Sequence, residues 1–207
     1  MRVTRFLHLL ALAGAAGLAL SCSDSSGPGD ITKPPAELTV VKLAPTSPPL
    51  FNPVDSFYAK RGEDREVRIF FQDPETGGQG EEYLRLRVAA ASLLARPDTT
   101  PFQVGDSILI RVQVVDPAQF LFELQPSGLT FSSSAPALLK IHYDQANDDF
   151  NEDGLVDQED DAIETILSIW RQEHPGDPFV RLGPAVVKDL KEIEAELQGF
   201  SRYALAY

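Results

Sequence analysis

One cysteine, Cys22, and three histidines, His8, His142 and His174, are all that 207 residues offer of the side chains most used for soft-metal and nucleophilic chemistry. A lone cysteine excludes an intramolecular disulfide and any CxxC-type zinc site. Three scattered histidines build neither a triad nor a metal cluster from local sequence. Basic residues are scarce too: 18 Lys and Arg face 31 Asp and Glu, a formal charge of −13. That balance works against a general affinity for nucleic acid, which needs clustered Lys and Arg. No G-x-S-x-G, Walker or H-E-x-x-H pattern occurs, and no internal repeat; with no catalytic constellation in the sequence, the expectation is a non-enzymatic protein.

What is present begins with Arg2 and Arg5 ahead of the apolar run 6–20, which ends in Ser21-Cys22. The run is too short for a spanning helix and has the layout of a secretory signal. The stretch Leu18-Ala19-Leu20-Ser21-Cys22 resembles the lipobox of bacterial lipoproteins. That resemblance implies removal of residues 1–21, acylation of Cys22 and attachment to a bilayer. Ser23 directly after the cysteine implies an outer-membrane address in the cell envelope. The following SDSSGPGDITKPPAE has almost no apolar residue to offset the entropy of ordering. Residues 22–37 therefore read as a lipidated, flexible tether.

Residues 38–207 read as an all-β domain. Short alternating or β-branched runs recur at 38–42, 56–60, 66–72, 83–89, 107–115, 119–124 and 138–143, separated by Asp73-Pro74, Gly77-Gly78, Pro97-Asp98, Asp116-Pro117 and Ser127-Gly128. In 107–115, Ile108, Ile110, Val112 and Val114 share one face while Arg111 and Gln113 take the other. Many short strands without βαβ alternation predict an antiparallel β-sandwich with at most a short helix. Val186, Leu190, Ile193 and Leu197 fit a helical period, and Ile193, Ala195 and Leu197 also alternate; periodicity alone favours a helix over 186–197.

The blocks Pro126-Ser-Gly-Leu-Thr-Phe131, Pro136-Ala-Leu-Leu-Lys-Ile-His-Tyr143 and Phe200-Ser-Arg-Tyr-Ala-Leu-Ala-Tyr207 resemble the ZU-type β-sandwich of ankyrin and netrin-receptor proteins and of many bacterial lipoproteins. The resemblance spans residues 80–207. It implies a strand over 192–197, against the helical period, and a role in protein contacts.

The surplus acid has an address. Between Ile141 and Trp170 there is no Lys or Arg, while ten Asp and Glu crowd into 144–164. Carboxylates packed so closely need a cation, full solvation or raised pKa values. Asp149-Phe-Asn151-Glu-Asp153-Gly154-Leu155-Val156-Asp157-Gln-Glu-Asp160 has the spacing of a twelve-residue Ca²⁺ loop and resembles EF-hand and dockerin loops. Ca²⁺ wants six to eight hard oxygens at about 2.3–2.6 Å. The expected ligands are Asp149, Asn151 and Asp153 from alternate positions, the carbonyl of Leu155, Asp157 directly or through water, and Asp160 closing the far side. Gly154 permits the bend, and Val156 is expected to face inward as the loop's anchor. The flanks look like strands, so the loop is an insert between two of them.

The leading reading is thus a membrane-anchored interaction or structural module carrying one structural Ca²⁺, with the bilayer and an envelope protein or glycan as partners. A small carbohydrate-binding or hydrolytic envelope protein is the alternative. In it Phe70, Phe71, Phe120, Phe122, Tyr203 and Tyr207 form a sugar platform if they are exposed.

Overall fold

The computed structural model describes residues 31–183, 185–187 and 190–207. The expected signal peptide (1–21), Cys22 and the tether up to residue 30 lie outside the described residues. The described residues form fourteen strands, all paired antiparallel: Thr32–Lys33 (β1), Val54–Lys60 (β2), Arg65–Gln72 (β3), Gln79–Val88 (β4), Leu93–Ala95 (β5), Ser107–Asp116 (β6), Leu121–Gln125 (β7), Thr130–Phe131 (β8), Ala137–His142 (β9), Ser168–Gln172 (β10), Phe179–Arg181 (β11), Ala185–Val187 (β12), Glu192–Leu197 (β13) and Arg202–Ala206 (β14). Among the described residues one α-helix, Gln158–Glu164 (α1), interrupts these strands.

The strands sort into a seven-stranded sheet, β1-β11-β10-β14-β7-β6-β2, a five-stranded sheet, β12-β13-β9-β4-β3, and a small β5-β8 pair. Alternation decides what lies between the large sheets. In β6 the burial of Ile110, Val112 and Val114 against exposed Leu109 and Arg111 follows the sequence pattern. Val67, Ile69, Leu84, Leu86, Leu139 and Ile141 meet them from the second sheet. A register shift between Ile69 and Phe70 turns Tyr83 inward beside Leu84. Tyr83 meets Phe71 edge-on at 5.3 Å and stacks on Phe120 at 5.1 Å. Buried aromatic pairs of this kind add to the stabilisation that burial alone supplies.

Two expectations are overturned and one ambiguity is resolved. Glu192–Leu197 is a strand and not a helix: β13 pairs with β9 over its whole length, from Glu192↔His142 to Leu197↔Ala137. That register buries Ile193, Ala195 and Leu197 on one face. Both periods fit these residues, and only the strand period matches a neighbouring sheet with an open edge. The flexible tether does not extend to residue 37. Thr32 and Lys33 pair with Val180 and Phe179, and the Lys33 ammonium lies 5.6 Å from the Trp170 ring centroid. Residues 38–42, expected as a strand, form isolated bridges instead. Val41 donates its N–H to the carbonyl of Leu205 and accepts from the N–H of Phe120, wedged where β14 and β7 part.

Ile193 lies opposite Ile141 in the β9–β13 pairing and is 1% exposed. Ile193→Ala is expected to cost about 2–5 kcal/mol, read as a lowered urea midpoint at unchanged m-value.

Candidate metal centre

The acidic segment leaves the second sheet at the end of β9 and returns to the first sheet at β10. Its single aromatic anchors it. Phe150 is buried, lies edge-on to the Tyr207 ring at 6.5 Å, and accepts a hydrogen bond from the Tyr207 hydroxyl on its carbonyl. Two lysines distant in the chain brace the flanks. Lys42 pairs with Glu152 at 2.6 Å, and Lys191 with Asp148 at 2.9 Å and Glu164 at 3.2 Å. The charge crowding of the sequence is thus partly neutralised by tertiary contacts. Burial also pushes the Asp144 carboxyl above the usual range, with Glu81 beside it raising it further.

Within the loop, Asp149 accepts from the N–H of Asp153 at 3.1 Å and of Gly154 at 2.9 Å. Asn151 accepts from the same Asp153 N–H at 3.0 Å, and Asp153 accepts from Leu155 N–H at 2.9 Å. The Asn151 amide donates to the second oxygen of Asp153 at 3.3 Å. One amide therefore gathers the side-chain oxygens of the first and third loop positions, and the fifth lies next to them. Gly154 takes φ +90°, a region open to glycine at little cost; Glu152, at φ +60°, is held by Lys42.

The other two acids close the loop in a different way. Asp157 caps α1, accepting from Glu159 N–H at 2.8 Å, and Asp160 reaches back to the Asp157 N–H at 3.0 Å, a capping box with an acid at both ends. The other Asp160 oxygen accepts from Phe150 N–H at 2.7 Å and Asn151 N–H at 3.1 Å. Asp160, 2% exposed, ties the two ends of the loop together. The Asp157, Asn151 and Phe150 amides, the first foremost, hold its carboxyl below the ordinary carboxylate range.

The expected inward anchor Val156 is 69% exposed, and the Leu155 side chain is exposed as well. Phe150 holds the anchoring role instead. The sequence signal for it was its isolation as an aromatic in an acidic stretch, whereas Tyr207 and Lys42 carried none, being far away in the chain. Among the described residues no three Asp, Glu, His or Cys side chains converge as a metal set. The donor chemistry nonetheless fits a hard cation. Asp149, Asn151 and Asp153 present neighbouring oxygens, and a carboxylate oxygen that accepts one amide keeps a second lone pair for coordination.

Elsewhere, His142 lies on β9 between Glu82 at 3.1 Å and Glu192 at 3.4 Å, and His174 sits in the turn closed by Asp177. The sugar-platform row is taken apart by the fold: Phe71, Phe120, Phe122 and Tyr203 are buried, and Phe70 and Tyr207 are half-buried. Comparison with known proteins gave no match to a family model, a curated protein or a solved structure.

Replacing Asp160 by Ala is expected to lower the melting temperature even with calcium chelated, because three amides lose their acceptor. Asp153→Ala, at an exposed position, should change it far less under the same conditions. The depressed Asp160 pKa stabilises the fold above the unfolded-state value of about 3.9. Stability falls as pH drops through the lower folded value, and an acid titration of wild type against Asp160→Asn isolates that share.

Proposed function

We propose that the chain is a non-enzymatic, lipid-anchored β-sandwich of the cell envelope whose acidic loop binds one structural Ca²⁺. The observation that carries this reading is the gathering of Asp149 and Asn151 oxygens on the Asp153 amide, with the Asp153 carboxylate held beside them by the Asn151 amide, directly before a glycine in the left-handed region. Asp157, Asp160 and the Leu155 carbonyl complete the ligand set. A bound Ca²⁺ supplies a hard positive centre that relieves repulsion among these carboxylates.

The chain's own residues prepare the site. Asp160 fixes the loop ends, α1 starts directly after Asp157, and Phe150 seats the whole segment on Tyr207. Asp160 is one methylene shorter than the usual closing Glu, and both its oxygens already serve amides, which favours the weak end of the range. Affinity on the order of 10⁻⁴–10⁻³ M, as in extracellular modules, suffices for a structural ion. The lipobox-like segment at Cys22 supplies the bilayer contact. The ZU-type motifs favour a module that holds or presents an envelope protein or glycan.

Calcium at ten to a hundred times Kd should stabilise the protein by about 1.4–2.7 kcal/mol, seen as a rise in melting temperature that Asp153→Ala abolishes. An unchanged melting temperature at millimolar calcium would sink the metal site. Separately, Cys22→Ala should move the protein from the membrane to the soluble fraction; a variant still in the membrane pellet would remove the anchor.

A further inference from the structure

The outer face of the seven-stranded sheet is covered on one side and bare on the other. Toward β1, Leu38, Trp170, Phe179, Ala204 and Ala206 form a second buried cluster. Toward the β2 edge, Val54, Tyr58, Leu109 and Val115 stay exposed. The register places Tyr58, 65% exposed, opposite Leu109, and lines up Ser56, Arg111 and Gln125 across β2, β6 and β7 in the next row. Leu109, Arg111, Gln125, Pro126 and Ser127 line an open depression of about 500 Å³.

Arg111 is the anomaly on this face. Acids outnumber bases heavily in the chain, and every other described Lys or Arg side chain has a carboxylate, carbonyl, hydroxyl or aromatic ring for a partner. The exposed Arg111 has none among the described residues. An unpaired guanidinium fork is a ready receptor for a carboxylate. Ser56 is its register partner on β2, and Ser127 lines the same depression. The Gln125 amide, donating to Glu123 at 2.9 Å, keeps its oxygen as an acceptor. Tyr58 adds an apolar ring with a polar tip. Three strands span about 10 Å, a shallow track suited to a flat, extended ligand and not to an enclosed cofactor.

We propose that this face binds an acidic carbohydrate chain, with a uronate carboxylate on Arg111, a sugar ring against Tyr58 and hydroxyls on Ser56, Gln125 and Ser127. The site is separate from the acidic loop and stands whether or not the loop takes calcium. The shared requirement is one carboxylate beside a polyhydroxylated ring: Arg111 answers the first, and the hydroxyl and amide row with Tyr58 answers the second. An acidic peptide offers Arg111 a carboxylate but brings no polyhydroxylated ring to set against Tyr58 and the hydroxyl row.

The test is calorimetric titration of the full-length protein with galacturonate oligomers at low salt with calcium chelated, so that cation bridging to the acidic loop is removed. Binding is expected, weakened by salt. Arg111→Gln and Tyr58→Ala should each weaken it by about tenfold at unchanged melting temperature, since both side chains are exposed. A neutral oligomer of the same length should bind more weakly by a similar factor. No heat at millimolar oligomer, or equal affinity in both variants, overturns the proposal. Equal binding of poly-glutamate reassigns the face to acidic peptides. Self-association lost on Tyr58→Ala, without sugar binding, reassigns it to a second copy of the chain.

Discussion

The closing strand β14 is the element on which the rest of the molecule leans. It lies between β10 and β7, pairing with the first from Arg202 to Ala206 and with the second from Arg202 to Ala204. Its inward residues Tyr203 and Leu205 enter the main core, and its outward Ala204 and Ala206 are small enough for Trp170 to lie over them and donate its indole N–H to the Ala206 carbonyl. Where β14 ends, Thr39 exchanges backbone hydrogen bonds with Tyr207, and the Tyr207 ring and hydroxyl seat Phe150. One strand thereby joins the two halves of the large sheet, the incoming N-terminal segment and the acidic loop.

The acidic loop shows how a sequence dense in like charge stays compact. Its carboxylates are turned toward backbone amides of the loop itself, and its flanks toward lysines brought from β13's leading edge and from the 38–43 segment. Each amide bond to a carboxylate is charge-assisted and stronger than a neutral one. Asp149, Asn151 and Asp153 hold the amides of the loop's first half, and Asp157 and Asp160 tie its two ends. In the proposed function the ion completes a loop whose ends are already fixed, so binding spends little on ordering the chain.

The outer faces of the two sheets differ in the same terms. On the five-stranded sheet, Arg68, Arg85 and Lys140 stand in one cross-strand row, each matched to Glu66, Glu82 or Glu192. On the seven-stranded sheet near β2, Lys60 is matched to Glu63, whereas Arg111 is unmatched among the described residues and the neighbouring large side chains are exposed. A face that satisfies its own charges offers little to a ligand. A face that leaves one guanidinium and one aromatic ring open offers both charge and stacking.

Period-two alternation placed β6, β3, β9 and most of β7 in the sequence, because a strand half-buried in a sandwich must alternate whatever its neighbours are. The loop's spacing likewise marked Asp149, Asn151, Asp153 and Gly154 as one local group, since the hydrogen bonds that join them connect positions only a few residues apart. What local sequence left undecided was settled by distant partners. Glu192–Leu197 satisfies two periods, and the open edge of β9 selected the strand. Thr32–Lys33 has no strand pattern of its own, and the edge of β11 ordered it. Val156 and Phe150 exchanged roles because Tyr207, 57 residues from Phe150 in the chain, fixes which side of the loop is buried. Alternation and loop spacing are local and written in the chain; the choice among equally good local patterns depends on which surface remains unpaired, and that exists only once the sheets have formed.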